Sequence, residues 1–185
     1  VVRADAQRNL ATVLEAAKEV FADSGVDAPV RAIAAKAGVG VGTIYRHFPQ
    51  RSDLVAAVFR REVDACAEVA PVLAAELAPG DALTRWLLRY TGFIATKRGL
   101  AAALHSGDPT FDPLPAYFAE HLGAALASLL DAAVAAGEIR AGVDPNDLLH
   151  AVGSLSVPAP KDDGGRAQVM VGLLIDGLRY GAGAH

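Results

Sequence analysis

From Leu10 onward, apolar residues return every three or four positions in one segment after another, and Gly or Pro stands at most of the interruptions. That spacing lines one face of an α-helix; a half-buried strand needs strict alternation, and no stretch shows it. Composition agrees. Thirty-nine of the 185 residues are alanine, which loses no side-chain entropy in a helix. A hydrophobic fraction of 52% beside 21% charged residues excludes a disordered chain. The expected fold class is all-α.

The segments follow from the punctuation. Asp5 to Ser24 carries Leu10, Val13, Leu14, Ala17 and Phe21 on one face, and Gly25 caps it. Pro29 preorganises a short second helix to Ala37, with Ile33 and Ala34 inward and Gly38 at its end. A third short helix covers Val41 to His47, and a long fourth reads from Arg51 to Ala70. Asp81 is the expected N-cap of the next, broken by Gly99, and a short piece follows from Leu100 to Leu104. The stretch from His105 to Pro115 reads as a long irregular loop, the kind that is more often functional than accidental. A periodic helix through Leu122 to Val134 ends at Gly137. Asp144-Pro145 opens another, Pro158 to Gly165 reads as a turn-rich break, and Arg166 to Tyr180 forms the last. That makes about nine helices.

The formal net charge of -4 conceals a division. Residues 1–62 hold nine basic and seven acidic side chains, so they carry +2 and the remainder -6. Between Arg31 and Arg61 six basic residues face one acid, Asp53. Such asymmetry points to an end that binds a polyanion. The single cysteine, Cys66, excludes an intrachain disulfide framework and indicates a reducing compartment. Val1 to Arg8 lacks the apolar core of a signal peptide, and charges or glycines interrupt every aliphatic run. A cytoplasmic protein with no membrane partner is expected.

Two short helices joined at Ala37-Gly38-Val39 have the proportions of a helix-turn-helix, whose second helix enters the major groove of DNA. Ile44 and Phe48, four apart, form the inward pair. Val41, Gly42, Tyr45, Arg46 and His47 then face outward: Arg46 is the long donor for a base edge, Thr43, Tyr45 and His47 suit phosphate oxygens, and Gly42 permits close backbone approach. The starts of the second and fourth helices, near Arg31 and Arg51, offer backbone N–H groups to phosphates. The Gly38-x-Gly40-x-Gly42 run is not a nucleotide loop, since no strand precedes it and no lysine follows in the required place.

The order Phe21-Ala22-Asp23-Ser24-Gly25, Val30-Arg31-Ala32-Ile33-Ala34, Ala37-Gly38-Val39 and Gly42-Thr43-Ile44-Tyr45-Arg46-His47-Phe48 resembles the DNA-binding domain of the TetR (tetracycline-repressor-like) transcriptional regulators over residues 8 to about 58. The resemblance implies an N-terminal three-helix helix-turn-helix domain, residues 1–50, followed by a helical ligand-binding and dimerisation domain, residues 51–185. It also implies a homodimer whose last two helices pair as a four-helix interface, and a small-molecule cavity whose occupation alters the spacing of the two reading heads. Many members carry a serine and a lysine where this chain has Gly40 and Val41, which leaves Arg46 and Arg51 to supply more of the affinity.

In the larger region the aromatic residues and histidines concentrate at Trp86, Tyr90, Phe93, His105, Phe111, Tyr117, Phe118 and His121, an apolar set with polar tips such as lines a small-molecule site. An ordinary core filled by its few large side chains is the competing reading. Among His105, Asp108, Asp112 and His121 only the two aspartates are four apart and neither histidine has a ligand partner at that spacing, so neither a metal nor another cofactor is expected. No nucleophile elbow occurs, and no enzyme is expected. The last helix is apolar on more than one face; with Leu148, Leu149, Val152 and Leu155 before it, its Val171, Leu174, Ile175 and Leu178 are the expected dimer interface.

The sequence thus reads as a homodimeric repressor that binds a palindromic double-stranded operator and leaves it on binding an unknown small-molecule ligand. A helical interaction protein of the same fold with a protein partner, and a small enzyme using the aromatic cavity, are the alternatives.

Overall fold

The structure is a computed structural model and describes residues 2–156 and 165–180, with side chains from residue 8. The helices are α1 Val2–Ser24, α2 Val30–Ala37, α3 Val41–His47, α4 Arg51–Ala67, α5 Val69–Glu76, α6 Pro79–Gly99, α7 Ala101–Leu104, α8 Leu114–Ala135, α9 Pro145–Leu155 and α10 Arg166–Arg179, with a 3-10 turn at Pro109–Phe111. No strand occurs among the described residues. The expected break at Pro158 to Gly165 falls, except for Gly165, outside the described residues.

Packing divides the chain into two units, one of residues 1–62 with 96–115 and one of 63–95 with 116–185. The division therefore differs from a boundary at residue 50, because α4 as far as Glu62 and the segment after Ala95 pack with the N-terminal helices.

In the first unit, α1 buries Val13, Ala17, Val20 and Phe21. Gly25 ends it at φ +78°, its N–H on the Phe21 carbonyl at 3.0 Å. Two ion pairs hold α1 to α4: Lys18 with Glu62 and Arg61 with Glu15, each at 2.9 Å. The same Arg61 donates to the Ala11 carbonyl at 3.0 Å.

The second unit is a helical core of Leu83, Trp86, Leu87, Leu122, Leu126, Leu129, Leu149, Val152 and Val171, all buried. Asp144 caps α9 as expected, accepting from the N–H groups of Asn146 at 2.8 Å and Asp147 at 3.0 Å.

Three helix boundaries depart from the sequence reading: α8 begins at Leu114, inside the stretch read as a loop, and the other two lie at α4 and α6. The fourth helix stops at Ala67, and α5 begins at Val69. Pro71 has no N–H for the Ala67 carbonyl and its ring would collide with it, so the break falls four residues ahead of the proline. Likewise α6 starts at Pro79, and Asp81 lies inside its first turn without capping it. The first N–H groups are served from a distance: the Glu138 carboxylate accepts from the Gly80 N–H at 2.8 Å, so close that a Cβ on residue 80 would strike it. Asp81 pairs instead with Arg179 at 3.1 Å.

The stretch Pro109–Ala135 is long and apolar enough by composition to cross a membrane. It spends that apolarity on one face, where Leu122, Leu126, Leu129, Leu130 and Ala133 are buried in the second unit, while Ala116, Ala119, Ala124, Ala132 and Ala135 supply much of the exposed remainder. This is the pattern of a core helix in an alanine-rich chain.

Candidate nucleic-acid interface

The reading head is built around a left-handed glycine. Gly38 ends α2 at φ +68°. Its N–H reaches the Ala35 carbonyl at 3.3 Å, and the Val39 N–H reaches Ala34 at 3.0 Å, which satisfies the last carbonyls of α2 and turns the chain into α3. Ile33, Ala34, Ile44 and Phe48 are buried between the helices, as the i, i+4 pairing of Ile44 with Phe48 requires.

With those residues inward, the opposite face of α3 is presented outward. Val41, Gly42, Tyr45, Arg46 and His47 are all exposed, and Thr43 is half-buried. Tyr45 leaves half of its surface in solvent, 50%. No acid lies in the first turn of α3, and Arg46 and His47 occupy its last.

Gly42 is informative because the fold does not need it. Its φ is not positive, and a Cβ there would meet nothing within 4 Å. A helix interior favours alanine over glycine by about 1 kcal/mol. The missing side chain leaves this surface open to close approach.

The local surplus of positive charge is only partly available. Lys36 is paired with Glu19, which with the Asp23 charge holds its ammonium above the usual lysine range. Arg61 is paired with Glu15. Arg31 and Arg46 are exposed and form no ion pair among the described residues.

Arg51 makes contacts within the head itself. Its Nη1 donates to the carbonyls of Val26 and, at 2.7 Å, Ala28, fixing the loop that leads into α2. At the same helix start, Asp53 accepts from the Gln50 N–H at 2.9 Å, so α4's N-terminus is served by the chain's own carboxylate. The signal, an acid three residues after Gln50, was present in the sequence; the partners of Arg51 lie 23 and 25 residues away and left none. The start of α2 stands open, with Pro29 ahead of it, no side-chain cap and no acid in its first turn. Arg31 lies in that turn, where a phosphate would be favoured by both the side chain and the backbone.

The residues expected to line a small-molecule site separate into two groups. Trp86, Tyr90, Phe93 and Phe118 pack ring on ring in the second unit, with centroids 5.7 Å apart for Trp86–Tyr90, 5.8 Å for Tyr90–Phe93 and 5.8 Å for Phe93–Phe118. Burial raises the Tyr90 phenol far above its ordinary value, so it stays neutral. Tyr117 donates to Asp64 and stacks on His121 at 3.9 Å, and the His121 ring nitrogen Nδ1 meets the Tyr117 carbonyl at 2.8 Å. His105 is exposed and Phe111 is buried, both within the first unit.

The expected interface residues also divide. Leu148, Leu149, Val152, Val171, Ile175 and Leu178 are buried within the chain itself, and Leu155 and Leu174 are half-buried. The outward apolar face of α10 consists of Val169 and Leu173, 63% and 62% exposed, with Tyr180 beyond its end. The sequence showed an excess of apolar residues on α10 but not which face the chain covers.

This architecture, a basic helix-turn-helix joined to a larger helical unit, is that of a helix-turn-helix regulator. Residues 13–58 match the family pattern described as bacterial regulatory proteins, tetR family, and residues 78–180 match the C-terminal domain of SbtR-like transcriptional regulators. The structure resembles the TetR transcriptional regulator SCO0520 of Streptomyces coelicolor at a TM-score of 0.79 with 37% identity, over 91% of this chain and 97% of that one. It resembles a TetR transcription regulatory protein of Mycobacterium vanbaalenii at a TM-score of 0.74 with 36% identity, over 97% of this chain and the whole of that one. An HTH-type transcriptional regulator of Staphylococcus aureus (strain USA300) is 39% identical over 64 residues, a match spanning 34% of this chain and 35% of that protein. The chain belongs to the TetR family of transcriptional regulators.

Proposed function

We propose that the chain is a homodimeric repressor whose two heads read a palindromic operator and which a small-molecule ligand releases. The observation that carries the reading is the outward face of α3: Gly42, Tyr45, Arg46 and His47 exposed together on a helix pinned from behind by Ile44. Arg46 reads a base edge. Arg31, Thr43, Tyr45 and His47 hold phosphates, Val41 and Gly42 set the closeness of approach, and Arg51 positions the head from within. The exposed Val169 and Leu173 of α10 support pairing with a second copy, to which the half-buried Leu155 and Leu174 contribute at the edge.

The ligand acts on the aromatic cluster of α6 and α8, where Trp86, Tyr90, Phe93 and Phe118 come together. It releases DNA by preferring the arrangement of the two heads that does not fit the operator, because a ligand indifferent to the two arrangements shifts nothing.

Two substitutions test the reading head. Arg46→Ala is expected to weaken operator binding by about 1–3 kcal/mol and to relax the preference at one base position, measured by gel shift across single-base operator variants. Gly42→Ala is expected to leave the unfolding free energy unchanged or raise it by up to about 1 kcal/mol while weakening operator binding. Unaltered DNA affinity in both variants would count against this face.

A further inference from the structure

The first unit holds a cavity of about 360 Å3 that neither the α3 face nor the aromatic cluster uses. Its floor is apolar: Val26, Val55 and Phe111 line it and are buried. Ala102 and Ala103 add a wall of methyl groups. The rim is polar and carries two carboxylates, Asp27 and Asp108, with Ser52 and Ser106 between them in chemistry as neutral hydroxyls.

Arg51 is the one cation in this lining, and its Nη1 is engaged by two carbonyls. Asp108 is held below the usual carboxylate range by the Thr110 backbone N–H, at 2.9 Å, with the Thr110 and Ser52 hydroxyls beside it. It is therefore ionised at neutral pH. A carboxylate offers about four lone-pair sites, which these neighbours do not exhaust.

The lining thus sets two carboxylates against one guanidinium above an apolar floor. We propose that this cavity binds a small primary ammonium with a short aryl or alkyl body, the ammonium at Asp108 on the rim and the body against Val55 and Phe111. An ammonium brings three donors to the carboxylates, a hydroxyl brings one, and an anion meets like charge. The volume lies at the small end of the range for small-molecule sites, roughly 300–1,000 Å3.

Calorimetric titration of the full chain with 2-phenylethylammonium, 2-phenylethanol and 3-phenylpropionate tests the site, and with no DNA present its failure leaves the reading of the α3 face untouched. The ammonium is expected to bind about tenfold or more tightly than either other probe. Asp108→Asn keeps an oxygen for the Thr110 N–H and should lose about tenfold for the ammonium alone. Ala102→Phe, which places a ring in the cavity, should abolish saturable binding. Equal binding of the three probes, tighter binding of the carboxylate, binding unchanged in both variants, or no saturable binding at millimolar probe would each overturn the proposal.

Discussion

Trp86→Ala is expected to lower the unfolding free energy by about 3–5 kcal/mol, the range for deleting a large aromatic side chain from a packed core. Trp86 has no exposed surface, stacks on Tyr90 with the ring planes 4° apart, and donates its indole N–H to the Cys66 carbonyl at 2.9 Å. Cys66 lies in the last turn of α4, so the indole ties α6 to the end of that helix as well as filling the core. The substitution creates a void and removes that hydrogen bond.

Trp86→Phe separates the two effects. It keeps most of the stacking surface, removes the donor and leaves a smaller void, so a cost of about 1–3 kcal/mol is expected. Because the chain has a single tryptophan, both variants must be followed by far-ultraviolet circular dichroism in urea and not by indole fluorescence. A loss below about 1 kcal/mol for Trp86→Ala would mean that the ring stack is not a packed core and that space exists around it.

Ile44→Ala is expected to cost about 2–5 kcal/mol and to abolish specific DNA binding together with it. Ile44 is 1% exposed and, with Ile33 and Phe48, is what fixes α3 against α2. Shortening it releases the helix that carries Tyr45, Arg46 and His47, so the reading face loses its orientation although none of its own residues has changed. Tyr45→Ala is the matched control: half exposed, it should change stability by no more than about 0.5 kcal/mol while still weakening DNA binding. Equal stability of the two variants would show that α3 is held by something other than Ile44.

These contrasts mark what could be read from the chain before its structure. The inward residues of the reading head were legible because local periodicity decides them: Ile33, Ala34, Ile44 and Phe48 lie within 16 residues, and Gly38 marks the turn between them. The Asp144 cap was legible for the same reason, since its hydrogen bonds reach only two and three residues ahead. What was not legible depends on residues far apart. Glu138 caps α6 across 58 residues, and the carbonyls that Arg51 binds lie 23 and 25 residues before it.

The two faces of α10 are hard to tell apart for a related reason. Val169, Val171, Leu173 and Ile175 look alike in the sequence, yet Val171 and Ile175 belong to the core and Val169 and Leu173 to the surface. Only the neighbouring helices decide which stripe is covered. Charge behaved similarly: a count of six cations between Arg31 and Arg61 includes Lys36 and Arg61, both committed to glutamates on α1, and Arg51, committed to backbone. The exposed Arg31 and Arg46 are the part of that surplus most directly available to a polyanion.

The central claim is that the α3 face reads DNA sequence. Selection of bound fragments from a random duplex pool by the full chain, with Arg46→Ala run in parallel, tests it most directly. Enrichment of an inverted repeat whose half-site centres lie about one helical turn, ~34 Å, or more apart is expected. In the Arg46→Ala selection one base position per half-site should lose its preference. A pool that leaves the wild-type selection with no enriched motif, or a motif identical in both selections, would contradict it.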